Sequence, residues 1–176
     1  MELDIPEFPK APLRLQEISR AATALAVIVR HHKENRAKCS IQPVRNDPRL
    51  TVLSWRSGIQ FDATGMTLLA VDAPPLTAAD AHRPLLLLDC NWHRIESMLR
   101  DRVGEPVCRS LPTNVQTAYP RQSKTPGNDP ECGLATIEAL VAALWLQGVD
   151  ARDLLAHYHW REAFLAQPFF GEGSGQ

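Results

Sequence analysis

Four consecutive leucines, Leu85 to Leu88, closed by Asp89, constrain this chain more than any other feature. Neighbouring strand residues point to opposite faces of a sheet, so a leucine-only strand must be covered on both sides. Parallel strands flanked by helices meet that demand, and the expected class is α/β. Three further strands fit the pattern: residues 24–29 (ALAVIV), 50–55 (LTVLSW) and 66–71 (MTLLAV), the last two separated by Gly58 and Gly65. Helices are expected where apolar residues recur at helical spacing. Residues 92–102 carry Trp92, Ile95, Met98 and Leu99 in that rhythm, and residues 136–147 (TIEALVAALWLQ) form a stronger case. There Thr136 is placed as N-cap, Glu138 sits where the helix dipole favours a carboxylate, and Gly148 is the stop. Residues 150–158 and 160–166 read as shorter helices, while five prolines make 105–133 irregular, with a loop over 122–133.

Length and composition narrow the class. A chain of 176 residues, 44% hydrophobic and 22% charged, buries one core or two small lobes, with a soft boundary at 82–84. Its ends, 1–12 and 171–176, are rich in Pro, Gly and charge, and disorder is expected there. The longest apolar runs, 21–29 and 84–88, fall far short of a bilayer span, and no export signal opens the chain. A cytoplasmic protein without membrane contact is expected. Cys39, Cys90, Cys108 and Cys132 lack zinc-site spacing, so no metal is expected; His157 and His159, two apart, would face different sides of a helix.

The net charge of −1 argues against a protein that coats nucleic acid indiscriminately. Locally, Arg30, His31, His32, Lys33, Arg36, Lys38 and Arg45 are opposed only by Glu34. Such a run is either a solvated face or a phosphate-binding patch.

Two places suit chemistry. Asp89 ends the leucine strand, and open α/β sheets bind ligands outside such strand ends. Alternatively, Asp89 or Asn91 caps the helix that begins at Trp92. The turn Gly133-Leu134-Ala135 feeds a helix N-terminus, whose free N–H groups can meet a carboxylate or an adenine edge. No GxGxxG, P-loop, GxSxG or HExxH occurs, which removes the usual dinucleotide, triphosphate, serine-hydrolase and zinc-protease readings. Pattern alone gives an α/β enzyme or binding domain with a crevice near Asp89.

Six blocks in order carry a resemblance: HHKENRAKCS (31–40), PPLTAAD (74–80), LLLLDCNW (85–92), RSLP (109–112), GLATIEALVAAL (133–144) and YHWREAFL (158–165). Together they resemble the ribosome-biogenesis aminocarboxypropyltransferases, which modify a pseudouridine of small-subunit rRNA. The related DTW-domain enzymes act on tRNA uridine and share the strand-Asp-x-x-Trp element and the Thr-x-Glu-Ala helix start. The resemblance spans roughly residues 25–167. It implies a small N-terminal α/β lobe (21–83) and a C-terminal SPOUT-like lobe (84–168) with a deep trefoil knot. An N-terminal extension (1–20), partly disordered, and a tail (169–176) flank them.

What the resemblance implies about function is specific. S-adenosylmethionine would donate its 3-amino-3-carboxypropyl group to a uridine or pseudouridine, releasing methylthioadenosine, without a metal. The partner would be rRNA or a pre-ribosomal subunit, with tRNA second, and the protein a monomer. A non-enzymatic RNA-binding assembly protein is the alternative. Matching positions make Asp89 the catalytic residue, orienting the amino group. Ser40, Leu69, Val71, Asp89, Trp92, Leu111, Leu134 and Ala139 would hold the cofactor, and Lys33, Arg36, Lys38, Arg109 and Arg121 would meet RNA. The chain departs from the ribosomal pattern at Asn91, at Thr117 to Arg121, where Tyr-x-Arg is closer to DTW enzymes, and in the loop 122–131.

Overall fold

The computed structural model describes residues 24–35, 39–120 and 133–171. The expected extension 1–20, the loop 122–131, and Arg36, Lys38 and Arg121 lie outside these residues.

Five strands form one sheet in the order β2-β1-β5-β4-β7: β1 (Ala26–His31), β2 (Leu50–Trp55), β4 (Thr67–Leu69), β5 (Leu85–Asp89) and β7 (Val107–Arg109). Every pairing in it is parallel. A two-stranded parallel ribbon, β3 (Phe61–Asp62) with β6 (Arg102–Val103), stands beside it. Among the described residues the helices are α1 (Ile95–Arg100), α2 (Thr136–Leu146) and α3 (Arg161–Leu165), with short 3₁₀ turns between. The chain is therefore α/β with a parallel sheet. β5 lies between β1 and β4, so the sheet draws on both sides of residues 82–84.

The leucine strand behaves as its pattern demands. Leu85 and Leu87 face a core shared with Ala26, Ile28, Ile137, Leu140, Val141, Leu144 and Phe164, on the α2 side. Leu86 faces the opposite core with Val27, Val29, Trp55, Phe61 and Met98. Burying a leucine fully stabilises by about 1.5–3 kcal/mol, so both faces contribute.

Several boundaries move for local reasons. β1 begins at Ala26 and runs on through Arg30 and His31, because its neighbours pair there: Arg30 with Ser54 of β2 and Asp89 of β5, His31 with Trp55 of β2. Trp92–Arg94 is a 3₁₀ turn that passes into α1, and Arg152–Leu155 is also 3₁₀. β7 falls in the stretch read as irregular; three residues between Pro106 and Pro112 give no periodicity to read. Thr136 is the first residue of α2 rather than its cap, which is Ala135. At the other end Gly148 adopts φ +80°, the left-handed conformation glycine takes without a Cβ penalty. Its N–H reaches the Trp145 carbonyl at 3.0 Å and the Val149 N–H reaches Leu144 at 2.9 Å, a Schellman closure.

Candidate active site

Parallel strands all point their carboxyl ends to one edge. β1 leads on to β2 on one side, whereas β5 leads on to β7 on the other. The carboxyl ends of β1 and β5 therefore flank the point where the winding reverses, the crevice in which open α/β sheets hold ligands.

Asp89 stands at that point, 8% exposed. Its Oδ1 accepts a 2.7 Å hydrogen bond from the Thr136 hydroxyl. Its Oδ2 accepts the Cys39 thiol at 3.3 Å and lies 3.6 Å from Arg30 Nε. A carboxylate accepts about four donors, so Oδ1 keeps room for another. Asp89 is thus no helix cap, and Asn91, the residue before the 3₁₀ turn, makes no side-chain cap bond. Burial, then the charge of Asp89, pushes the Cys39 thiol up to about 11, so at neutral pH it is the donor.

The segment after β1 and the start of α2 meet here as well. Ser40 Oγ accepts the Ile137 N–H at 3.4 Å, one of the amides a helix start leaves free. Glu34 Oε1 accepts from the Asn91 N–H and from Arg94, both at 3.3 Å, binding the β1 loop to the turn after β5.

Leu69, Leu111, Leu134 and Ala139 are half-buried and pack on one apolar cluster, the α2-side core. Val71 lies two residues past β4 and is 37% exposed, in neither cluster. Trp92 is half-buried in the turn after β5 and, among the described residues, packs on neither core. Lys33 is exposed, its backbone N–H on His31 Nδ1 at 3.1 Å. Arg109 Nε lies 3.1 and 3.0 Å from the two oxygens of buried Asp80, which Arg83 and the Thr77 N–H also reach.

Sequence reasoning missed a second carboxylate. Glu138 is fully buried and accepts four bonds: Thr117 hydroxyl at 2.6 Å, Ala118 N–H at 2.8 Å, Ala135 N–H at 2.9 Å and Tyr158 hydroxyl at 3.0 Å. It fastens the 111–120 loop and Tyr158 to the start of α2. Tyr158 and Tyr119 each pack on Trp160 in a T-shaped arrangement. The signal was present: a carboxylate on an otherwise apolar helix must either face water or collect donors.

Among the described residues no cluster of three metal-ligating side chains occurs, and no helix is long and apolar enough to cross a membrane. No protein-family model matches the chain, nor does any curated protein. Among solved structures, the chain is similar in fold to an RNA-modifying transferase. That structure is the SAM-dependent rRNA:acp-transferase Tsr3 from Vulcanisaeta distributa, with a TM-score of 0.61 and 22% identity over 85% of this chain and 82% of that one. At that identity the match establishes the fold.

Proposed function

We propose that this chain is an S-adenosylmethionine-dependent aminocarboxypropyltransferase acting on a uridine or pseudouridine of RNA, with small-subunit rRNA as the preferred substrate. The observation that carries this reading is the convergence of Asp89, Ser40 and the start of α2 at the reversal point between β1 and β5. The shared fold with an enzyme described as an rRNA:acp-transferase supports it.

The residues fit such a cofactor. Leu69, Leu111, Leu134 and Ala139 offer a half-buried apolar wall for adenine, as small-molecule sites commonly do. Asp89 has acceptor capacity for an ammonium, and Thr136 and Cys39 hold the carboxylate in one orientation. Ser40, beside the α2 amides, suits the amino acid's carboxylate. Trp92 offers an indole face to a sulfonium.

S-adenosylmethionine supplies a sulfonium that already leaves well, so the protein's task is positioning. The base nitrogen attacks the γ-carbon, the carbon–sulfur bond breaks with its electron pair going to sulfur, and the nitrogen's proton passes to water. Asp89 and Ser40, by fixing the amino-acid arm, decide which of three carbons faces the nucleophile. The knotted path of the resembled family belongs to the same reading, as does action as a monomer in the cytoplasm.

The test is transfer from S-adenosylmethionine labelled separately in the carboxyl and methyl carbons, with rRNA and tRNA as acceptors. Carboxyl label in rRNA with release of methylthioadenosine is expected. Label entering from the methyl carbon alone would make the protein a methyltransferase, and no binding in calorimetry would leave an RNA-binding protein on this fold.

A further inference from the structure

A cavity of about 300 Å³ lies at the β1–β2 side of the sheet, lined by β2 and by residues around the turn Gln42–Val44. Its charged and imidazole lining is Arg30, Arg45, His31 and His32, and among the described residues no Asp or Glu lines it. Two of the neutral groups there, Gln42 and His31, are biased toward donation. Gln42 Oε1 is taken by Arg30 at 3.0 Å, which leaves its NH₂ to offer. His31 Nδ1 accepts the Lys33 N–H, so the neutral ring carries its proton on Nε2. Arg45 is exposed and makes no ion pair among the described residues. A cavity that presents donors and positive charge selects an anion, and its volume sits at the small end for ligand sites.

We propose that this cavity is a subsite for one phosphodiester of an RNA strand, gripped by Arg45 beside Arg30, whose guanidinium also holds Gln42 Oε1 and the Glu34 carbonyl. This rests on the RNA reading above. A strand is favoured over a free anion because Arg30 touches both places: it lines the cavity and lies 3.6 Å from Asp89. A chain anchored there runs past the crevice where the base must arrive.

The experiment measures binding of a fluorescein-labelled oligouridylate across a salt series, with S-adenosylmethionine calorimetry alongside. The parent is compared with Arg45→Glu and with Arg100→Glu, an exposed charge on α1 away from the cavity. We expect Arg45→Glu to weaken RNA binding about tenfold and to flatten the log–log salt slope by about 0.7, one phosphate contact on a single strand. S-adenosylmethionine affinity should not change, and Arg100→Glu should stay near the parent. Equal losses in the two variants, parental RNA binding in Arg45→Glu, or occupancy by inorganic phosphate that RNA does not displace would each overturn the subsite. Selective RNA loss without S-adenosylmethionine binding by any chain would keep the subsite and remove the transferase reading.

Discussion

The Thr136 hydroxyl donates a 2.7 Å hydrogen bond to Asp89 Oδ1, joining the first residue of α2 to the last residue of the central strand across 47 positions. The bond sets the start of α2, with its free amides and positive dipole end, directly over the strand terminus.

Removing the acceptor tests that arrangement. Asp89→Ala should lower S-adenosylmethionine affinity about tenfold or more, as expected for a charge-assisted hydrogen bond, with an unchanged circular dichroism spectrum. Thr136→Val leaves the carboxylate but frees its orientation, so a smaller loss is expected. Parental affinity in Asp89→Ala would remove it from the site.

Trp92 packs on neither apolar core, unlike Trp55. Trp92→Ala should therefore destabilise by under about 1.5 kcal/mol in urea melts, against about 3–5 kcal/mol for a core aromatic, while S-adenosylmethionine binding weakens. A core-sized loss of stability with intact binding reverses the assignment.

Glu138 is the costliest side chain to remove in this region. Glu138→Ala strands four donors in a buried space, and a loss of about 3 kcal/mol or more is expected in thermal or urea unfolding. Tyr158→Phe deletes one donor and should cost about 1 kcal/mol. A near-neutral Glu138→Ala would show that water replaces the network.

Thiol chemistry reads the same crevice. Burial pushes Cys39 up to about 11, with Asp89 adding to it, and burial pushes Cys90 up to about 12. Since the thiolate is the reactive form, iodoacetamide at neutral pH should modify exposed Cys108 well before either. Asp89→Asn should speed labelling of Cys39, because a negative neighbour that disfavours the thiolate is gone. Peptide mass spectrometry over time distinguishes the sites.

Acid should loosen the Asp80 cluster. Burial raises the Asp80 carboxyl, but the hydrogen bond from Arg109, the Thr77 N–H and the Arg109 charge outweigh it and hold it below the ordinary range. A depressed carboxyl stabilises the fold above its unfolded value, near 3.9, and that stability is lost as pH falls through the folded value. Melting temperature should therefore drop below about pH 4, and Asp80→Asn should show a shallower drop. Asp47 and Asp153, lowered by hydrogen bonds from Arg49, keep a residual slope in the variant.

The sheet was legible in the sequence where burial writes an apolar run. Leu85 to Leu88 and residues 24–29 announce themselves, and α2 is marked by its length and by Gly148. β7 and the β3–β6 ribbon were not legible, since two or three residues carry no period. In the site, Asp89 was found from its place after the strand. Its partners Arg30 and Cys39 were not, because only the register of β1 against β5 brings Arg30 beside it. Glu138 was read through the helix dipole alone; its four donors come from segments up to 21 residues away.

The strand in the middle of the sheet, β5, follows both of its neighbours, β1 and β4, in the chain. β1 and β4 therefore leave the ribosome with a gap between them, and the sheet cannot zip from one side to the other. Such non-local parallel pairing is slow to form, and until Leu85–Asp89 arrives the open flanks of β1 and β4 are exposed to other chains. A nascent chain of this kind has reason to need shielding during the interval between β4 and β5.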